Sequence, residues 1–379
     1  MSARLAWWTP VFGAREGRGV LDVLESGFVN DGPVTATFEW RLAAYLDVPY
    51  AVATTSGTAA LFLALAALEI GPGDEVIVPD VTFVATANAV RLTGATPVLA
   101  DVDPVSFCLE PHAVERVLTL RTRAIVPVHV SGRPGPLDAV VALARRRGLA
   151  VVEDAAEALG SRLGARALGT IGDVGAFSFT ANKLITTGQG GLVVTRDERI
   201  YERLRMLKDQ GRRERGTGGP DVHPTVGYNF KFTDLQAAVG VAQLDDLERR
   251  LAHRRALWEM YQRHLGDVPS VRLVPADLDG GVRPLWIDAR VDGRDHLYHW
   301  LLAHAIETRP FWRPLHTQQP YRADGAAFPV STSVSATALW LPSSLSLDEA
   351  TVARVCAEIA AWSAARPEVS PDPEAVAAV

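Results

Sequence analysis

Cysteine is scarce in this chain of 379 residues: only Cys108 and Cys356 are present. They provide neither a disulfide framework nor a Cys-x-x-Cys metal site, so no metal is expected. Long hydrophobic runs are missing too. The longest, Ala59 to Leu68, is too short to cross a bilayer. Nor is there a basic excess: 38 Lys and Arg stand against 44 Asp and Glu, a net charge of −6 with both signs interspersed. This argues against nucleic acid as the main partner, because a phosphate-binding surface concentrates cations on one face. The opening MSARLAWWTPVFG lacks the charged-then-apolar pattern of a secretory signal. With no internal repeat either, the chain reads as a cytoplasmic protein.

What is present is an ordinary globular composition, 48% hydrophobic and 22% charged. The length exceeds what one core usually sustains, about 250–300 residues, and predicts a large unit plus a smaller one. Strand-like and helical stretches alternate over Val76–Val78, Thr96–Val102, Pro111–Leu118, Ala124–Val130, Leu137–Arg147 and Leu149–Val152. Such alternation with apolar strands predicts an α/β fold with a largely parallel sheet covered on both faces. One long helix is expected from about Val241. The expected division is a large unit over 1–240, with an N-terminal arm, and a smaller one over 241–366. The tail 367–379, rich in Pro, Glu and Ala, reads as disordered.

The chemistry concentrates between Leu149 and Thr195. An apolar run ends in Glu153-Asp154, and a second, Val174 to Phe179, leads through Asn182 to Lys183. Gly188-Gln189-Gly190-Gly191 and a third apolar run follow. An Asp at a strand end and a Lys in a turn between strands are two parts of a pyridoxal 5'-phosphate site. The amine forms the Schiff base, and the carboxylate keeps the pyridinium protonated. The plainer readings are a solvated Lys and a helix-capping Asp. Upstream, Thr54-Thr55-Ser56-Gly57-Thr58 opens a helix that is apolar nearly all round. That suits a phosphate at a helix N-terminus as well as a simple cap. Asn30 and Asp31, before Gly32-Pro33, are turn formers by residue type. His129 follows an apolar strand and can sit either at the sheet's ligand edge or in the core. The basic, Gly-rich stretch 210–219 reads as a solvated loop or an anion-attracting one.

EDAAEALGS, GDVGAFSF and NKLITTGQGG, in this order and spacing, resemble the core of the DegT/DnrJ/EryC1/StrS aminotransferases. SGTAAL, GYNFKFTDLQAA and ETRPFWRPLH resemble further motifs of that family, the last especially its perosamine-synthase-like branch. The resemblance runs from about residue 10 to 362. It implies fold type I, with a mostly parallel seven-stranded sheet and a smaller C-terminal α+β part. It also implies a homodimer with shared sites, pyridoxal 5'-phosphate on Lys183, and Asp154 at the ring nitrogen. Gly57 and Thr58 would hold the phosphate, Phe83 would stack on the ring, and Ser178 would join the cofactor residues. Glu157, where many relatives have Gln, would lie near the phenolic oxygen. Asn229 would reach the phosphate from the partner subunit. Lys231 stands where Arg is usual, keeping the charge but losing the fork-like donor geometry. Asn30, Asp31, His129, Lys231, Trp312 and His316 are the candidates to meet substrate, while Arg309 reads as structural. The implied reaction moves an amino group from L-glutamate to C3 or C4 of a nucleotide-linked keto-6-deoxysugar. An aminocyclitol acceptor and a non-catalytic regulator are the alternatives. The family's 3-dehydratases carry His in place of the Lys, so Lys183 counts against that activity.

Overall fold

The computed structural model describes residues 4–213 and 221–365. Most of the basic loop singled out in the sequence, and the tail from 367, lie outside these residues. The central feature is a seven-stranded sheet whose first strand is Tyr50–Thr54. Its neighbours in order are Gly191–Thr195, Val174–Ser178, Ala150–Asp154, Thr122–Ile125, Glu75–Pro79 and Thr96–Ala100. Gly191–Thr195 is antiparallel to both its neighbours, and the other pairings are parallel. A four-stranded antiparallel sheet follows, ordered Val271–Leu273, Ile287–Val291, Ala338–Leu341 and Arg309–Pro310. The α/β class and the mostly parallel seven-stranded sheet expected from the sequence are therefore present.

Alternation along the strands sends side chains to two cores. Ile77, Ile125, Val151, Phe177 and Val194 belong to one, whereas Val76, Val78, Val152, Ala176 and Val193 belong to the other. The second core also holds the helix Gly57–Ala67, in which most side chains are buried. This all-round apolarity is possible because the helix lies between the strands Val174–Ser178 and Gly191–Thr195 on one side and the helix Ala85–Leu92 on the other. Its N-terminus is thereby fixed at the edge of the sheet.

Two elements differ from the sequence reading. The strand expected over 124–130 stops at Ile125. Pro127 has no amide hydrogen to continue the ladder, and the chain turns through Val130–Gly132 with Ser131 at φ 51°. The long helix expected from about Val241 is two helices, Asp234–Asp245 and Leu247–Leu265, broken at Asp246. Asp246, at φ −101° and ψ 5°, lies outside the helical region, and its side chain accepts from Arg249 in the first turn of the second helix. Among the described residues, no helix is long and apolar enough to cross a membrane.

Candidate active site

Asp154 ends the strand Ala150–Asp154 near the middle of the large sheet. Its carboxylate is 5% exposed and accepts from the Thr86 hydroxyl at 2.7 Å and the Ala156 amide at 3.2 Å. Neither donor is charged, and no salt-bridge partner stands beside it among the described residues. Burial therefore pushes its pKa up, while Thr86, Ala156 and Lys183 pull the other way. The preceding residue, Glu153, points to the opposite face of the strand. It accepts from the amides of Gly169, Ile171 and Gly172 and pairs with His129 at 2.8 Å. Burial acts to raise the Glu153 pKa, but the His129 ring and these amides outweigh it and the net shift is downward. His129 is thus a fully buried core histidine, the second of the two alternatives its sequence context left open.

Lys183 sits in the loop between the strands Val174–Ser178 and Gly191–Thr195. Bonds from the Lys183 amide to the Thr180 carbonyl and from the Thr187 amide to the Phe179 carbonyl brace this loop, both at 3.0 Å. The Trp8 indole N–H donates to the Ala181 carbonyl at 2.9 Å. The Lys183 Nζ then lies 3.2 Å from Glu157 Oε1. That oxygen also accepts from Trp286 Nε1 at 2.9 Å, and the other from the Ser131 amide at 2.9 Å. Glu157 is therefore a fixed buried anion beside the lysine amine.

The helix N-terminus supplies donors. Ser56 caps it by accepting the Ala59 amide at 3.1 Å, which leaves the first-turn amides of Gly57 and Thr58 without an intrahelical acceptor. Gly57 packs so tightly on the next strand that a Cβ there would stand 2.8 Å from Ser178 Cβ. Only glycine lets the helix end come this close. Phe83 is 53% exposed, an unusual state for a phenyl ring that ends a strand-to-helix connection.

Lys183, Asp154, Glu157, Gly57, Thr58, Ser178, Phe83 and Trp312 all line one cavity of about 440 Å³. The fit to pyridoxal phosphate follows from these features. A desolvated carboxylate without a cationic partner suits a protonated ring nitrogen, free amides at a positive helix end suit a phosphate, and an open phenyl face suits a planar ring. Other residues on the sequence list lie elsewhere. His316 is buried on Asp80, its Nδ1 2.6 Å from the carboxylate. Asp31 pairs with buried Lys208 at 3.1 Å, and the Asn30 carbonyl accepts from Asp234 N at 3.0 Å. Lys231 pairs with Asp209 at 2.7 Å, and Asn229 forms a backbone bridge to the same Asp209. None of these six positions, His129 included, lines the cavity of its own chain.

The cavity also contains residues that sequence reasoning missed. Thr82 lines it, and its hydroxyl is 2.9 Å from that of Thr86 behind Asp154. The four-residue spacing of the two threonines at the start of a helix was the available signal. Trp286 and Trp340 form one wall together with Trp312. Arg309, read as structural, also lines the cavity. Among the described residues no cluster of side chains could hold a metal.

An α/β fold with a lysine amine, an unpaired aspartate and a free helix N-terminus around one cavity defines a pyridoxal-phosphate-dependent aminotransferase. The DegT/DnrJ/EryC1/StrS aminotransferase family model matches residues 11–360, and the chain belongs to this family. It is 36% identical to the GDP-perosamine synthase of Caulobacter vibrioides, over 94% of this chain and 97% of that protein. The GDP-perosamine synthase of Escherichia coli O157:H7 is 35% identical, over 93% and 96% of the two chains. Among solved structures, that of S. venezuelae DesV in complex with a ketimine intermediate superposes with a TM-score of 0.91 at 35% identity, covering 97% of this chain and all of that one. The protein is accordingly a pyridoxal-phosphate-dependent transaminase.

Proposed function

We propose that this enzyme moves an amino group from L-glutamate to C3 or C4 of a nucleotide-linked keto-6-deoxysugar, as a homodimer with shared sites. The observation that carries this reading is the Lys183–Glu157–Asp154 cavity in a chain matched almost end to end by two GDP-perosamine synthases. When bound, pyridoxal phosphate supplies an aldehyde that condenses with amines and a ring that takes up electron density from the substrate carbon.

The chain's own residues do the rest. Asp154 would orient the ring and keep its nitrogen protonated, and the Thr86 hydroxyl, by donating to Asp154, favours its ionised form. The amides of Gly57 and Thr58 would hold the phosphate, Ser178 packs against Gly57, and Phe83 would serve the ring of the cofactor. Asn229 of the partner subunit would complete the phosphate contacts, a role supported by its position off the cavity of its own chain. Lys183 Nζ would take the proton from the donor's α-carbon in one half-reaction and deliver a proton to the acceptor carbon that receives the amine in the other, and Glu157 would hold the amine in place between these steps. The cavity wall of Trp286, Trp312 and Trp340 excludes water and offers faces to a sugar ring.

The test is a pair of half-reactions followed by mass spectrometry. Purified holoenzyme is loaded with amine from L-glutamate, then offered GDP-, TDP- and UDP-linked ketosugars and, separately, inososes. Amine transfer to a nucleotide ketosugar is the expected result. Transfer to an inosose alone would replace the sugar reading with the aminocyclitol one, and transfer to neither would remove both.

A further inference from the structure

The tryptophan wall of the cavity is held from behind by charge. Trp340 lines the cavity together with Trp286 and Trp312. Its ring centre is 5.7 Å from that of Trp286 and 5.0 Å from that of Trp312, which meets it edge-on at 88°. The Trp340 Nε1–H donates to Asp288 Oδ1 at 2.6 Å. Asp288 stands opposite Trp340 in the antiparallel ladder of the small sheet, is 3% exposed and does not line the cavity. Its other oxygen accepts from Arg133 Nη1 at 2.5 Å. Arg133 belongs to the large body, directly after the turn Val130–Gly132. Its Nε donates to the Ser106 carbonyl at 2.9 Å, and its guanidinium lies 5.3 Å over the Phe107 ring. The same turn gives the Ser131 amide to Glu157, which accepts from the Trp286 indole. One turn thus fixes two carboxylates, and each carboxylate fixes one indole of the wall.

We propose that Asp288, held by Arg133, is a positioning residue for the acceptor sugar and acts through Trp340. This rests on the nucleotide-sugar reading of the site. A buried ion pair adds little stability over an apolar pair of the same size. What it does supply is fixed geometry, through short charge-assisted bonds. Asp288 has one oxygen for each of its two donors, so the indole can turn only by giving up a hydrogen bond to a buried charge. With the Trp340 N–H on Asp288 and the Trp286 N–H on Glu157, these two indoles show the cavity aromatic surface and no free donor. Such a surface suits the C–H face of a hexose ring. The amino donor is an open chain with charged ends and has no such face. Asp288 lies off the cavity, so its effect on the acceptor passes through the ring of Trp340.

The experiment compares wild type, Asp288→Asn, Trp340→Phe and the double variant as holoenzymes, with folding checked by thermal melting. Calorimetry gives the affinities for two non-reacting nucleotide hexoses, TDP-glucose and GDP-mannose, and for TDP and GDP alone. The ratio of nucleotide-hexose to nucleotide affinity isolates the sugar's share. An amide offers one acceptor oxygen to the two donors. Asp288→Asn should therefore cut that ratio about 10-fold, with bare nucleotide within about 2-fold of wild type. Trp340→Phe should cut it about as much, and the double variant no further, because Asp288 then has no indole to position. Additive losses in the double variant would overturn the proposal, since Asp288 would act by another route. An unchanged ratio in Asp288→Asn beside a lowered melting temperature would overturn it too, leaving the ion pair a purely structural element. So would equal weakening of nucleotide and nucleotide hexose. If Asp288→Asn does not fold, Arg133→Lys is read in the same way. It keeps a positive charge beside Asp288 and loses the guanidinium fork, so a drop of about 3-fold is expected and no drop would overturn the proposal. A wild type that binds nucleotide hexoses no better than nucleotides would refute the sugar reading of the site, and this inference with it.

Discussion

Thr86 is the most exacting test of how Asp154 is held. Its hydroxyl is 1% exposed and donates to Asp154 Oδ2 at 2.7 Å. Thr86→Val keeps the shape and removes the donor, leaving the Ala156 amide at 3.2 Å. A buried hydrogen bond to a charged group contributes about 1.5–3 kcal/mol. Without cofactor, Asp154 can escape this loss by protonating, since burial already raises its pKa. With the ring nitrogen bound it must remain ionised, so the loss falls on cofactor affinity. Pyridoxal phosphate should bind about 10- to 150-fold more weakly, and Thr86→Ser should restore the wild-type value. The Thr82 hydroxyl also loses its partner; that cost falls on both forms and cancels in the binding constant. Apoprotein titrated with pyridoxal phosphate gives the affinity, and melting of the apo and holo forms gives the common cost. Equal destabilisation of both forms with unchanged affinity would refute the argument and reduce Thr86 to a packing residue.

Other outcomes follow from the same geometry. The pKa of Asp154 is raised in the cofactor-free protein, so its favourable contribution is present below the unfolded-state value of about 4 and is lost as pH rises through the raised one. The gap in melting temperature between holo and apo forms should therefore widen with rising pH and flatten in Asp154→Asn; parallel profiles for the two proteins would contradict this. Glu153 has the opposite sign: its lowered pKa gives stability that is present above about 4.3 and is lost on acidification. Glu153→Gln sets an amide donor against the ring of His129 or a backbone amide and should cost about 3–5 kcal/mol in urea unfolding at neutral pH; an unchanged midpoint would rule out the buried pair as a stability element. Lys183→Ala should fold and bind cofactor yet turn over negligibly, and borohydride should label the Lys183 peptide of the wild type. Mixed with an impaired Asn229 variant, it should regain up to half the wild-type activity per heterodimer; absence of recovery despite proven subunit exchange would put Asn229 in its own chain's site.

The parts of the site that were legible in the sequence are those encoded by short local patterns. Lys183 and Asp154 each follow an apolar strand, and a strand's end is where a side chain leaves the core for a sheet-edge cavity. Gly57 and Thr58 were legible because a Ser-Gly-Thr opening on an apolar helix leaves free first-turn amides at the positive end of the helix dipole. The sheet was legible for the same reason: near-continuous apolar runs separated by helices admit few arrangements. Boundaries went astray where the backbone departs from the regular pattern at one residue, Pro127 in the strand and Asp246 between the helices.

What stayed hidden depends on pairings between distant segments. His129 could be assigned only after strand alternation had turned Glu153 away from Asp154 and into the loop at 169–172. His316 is bound to Asp80, a partner 236 residues away. The tryptophan wall is a stronger case. Trp7 lies 4.9 Å from Trp286, which lies 5.7 Å from Trp340, so three segments far apart in the chain meet beside the cavity. Any one of these tryptophans, read alone, is a core residue. Together they set Arg309 at the cavity wall and hold Glu157 through the Trp286 indole, so the region after residue 280 shapes the chemistry whose reactive groups come from residues 57 to 183. Local sequence can name the reactive groups, because each must sit at the end of a strand or helix. It does not name the groups that set their charge and access, because those are defined only by what packs against them.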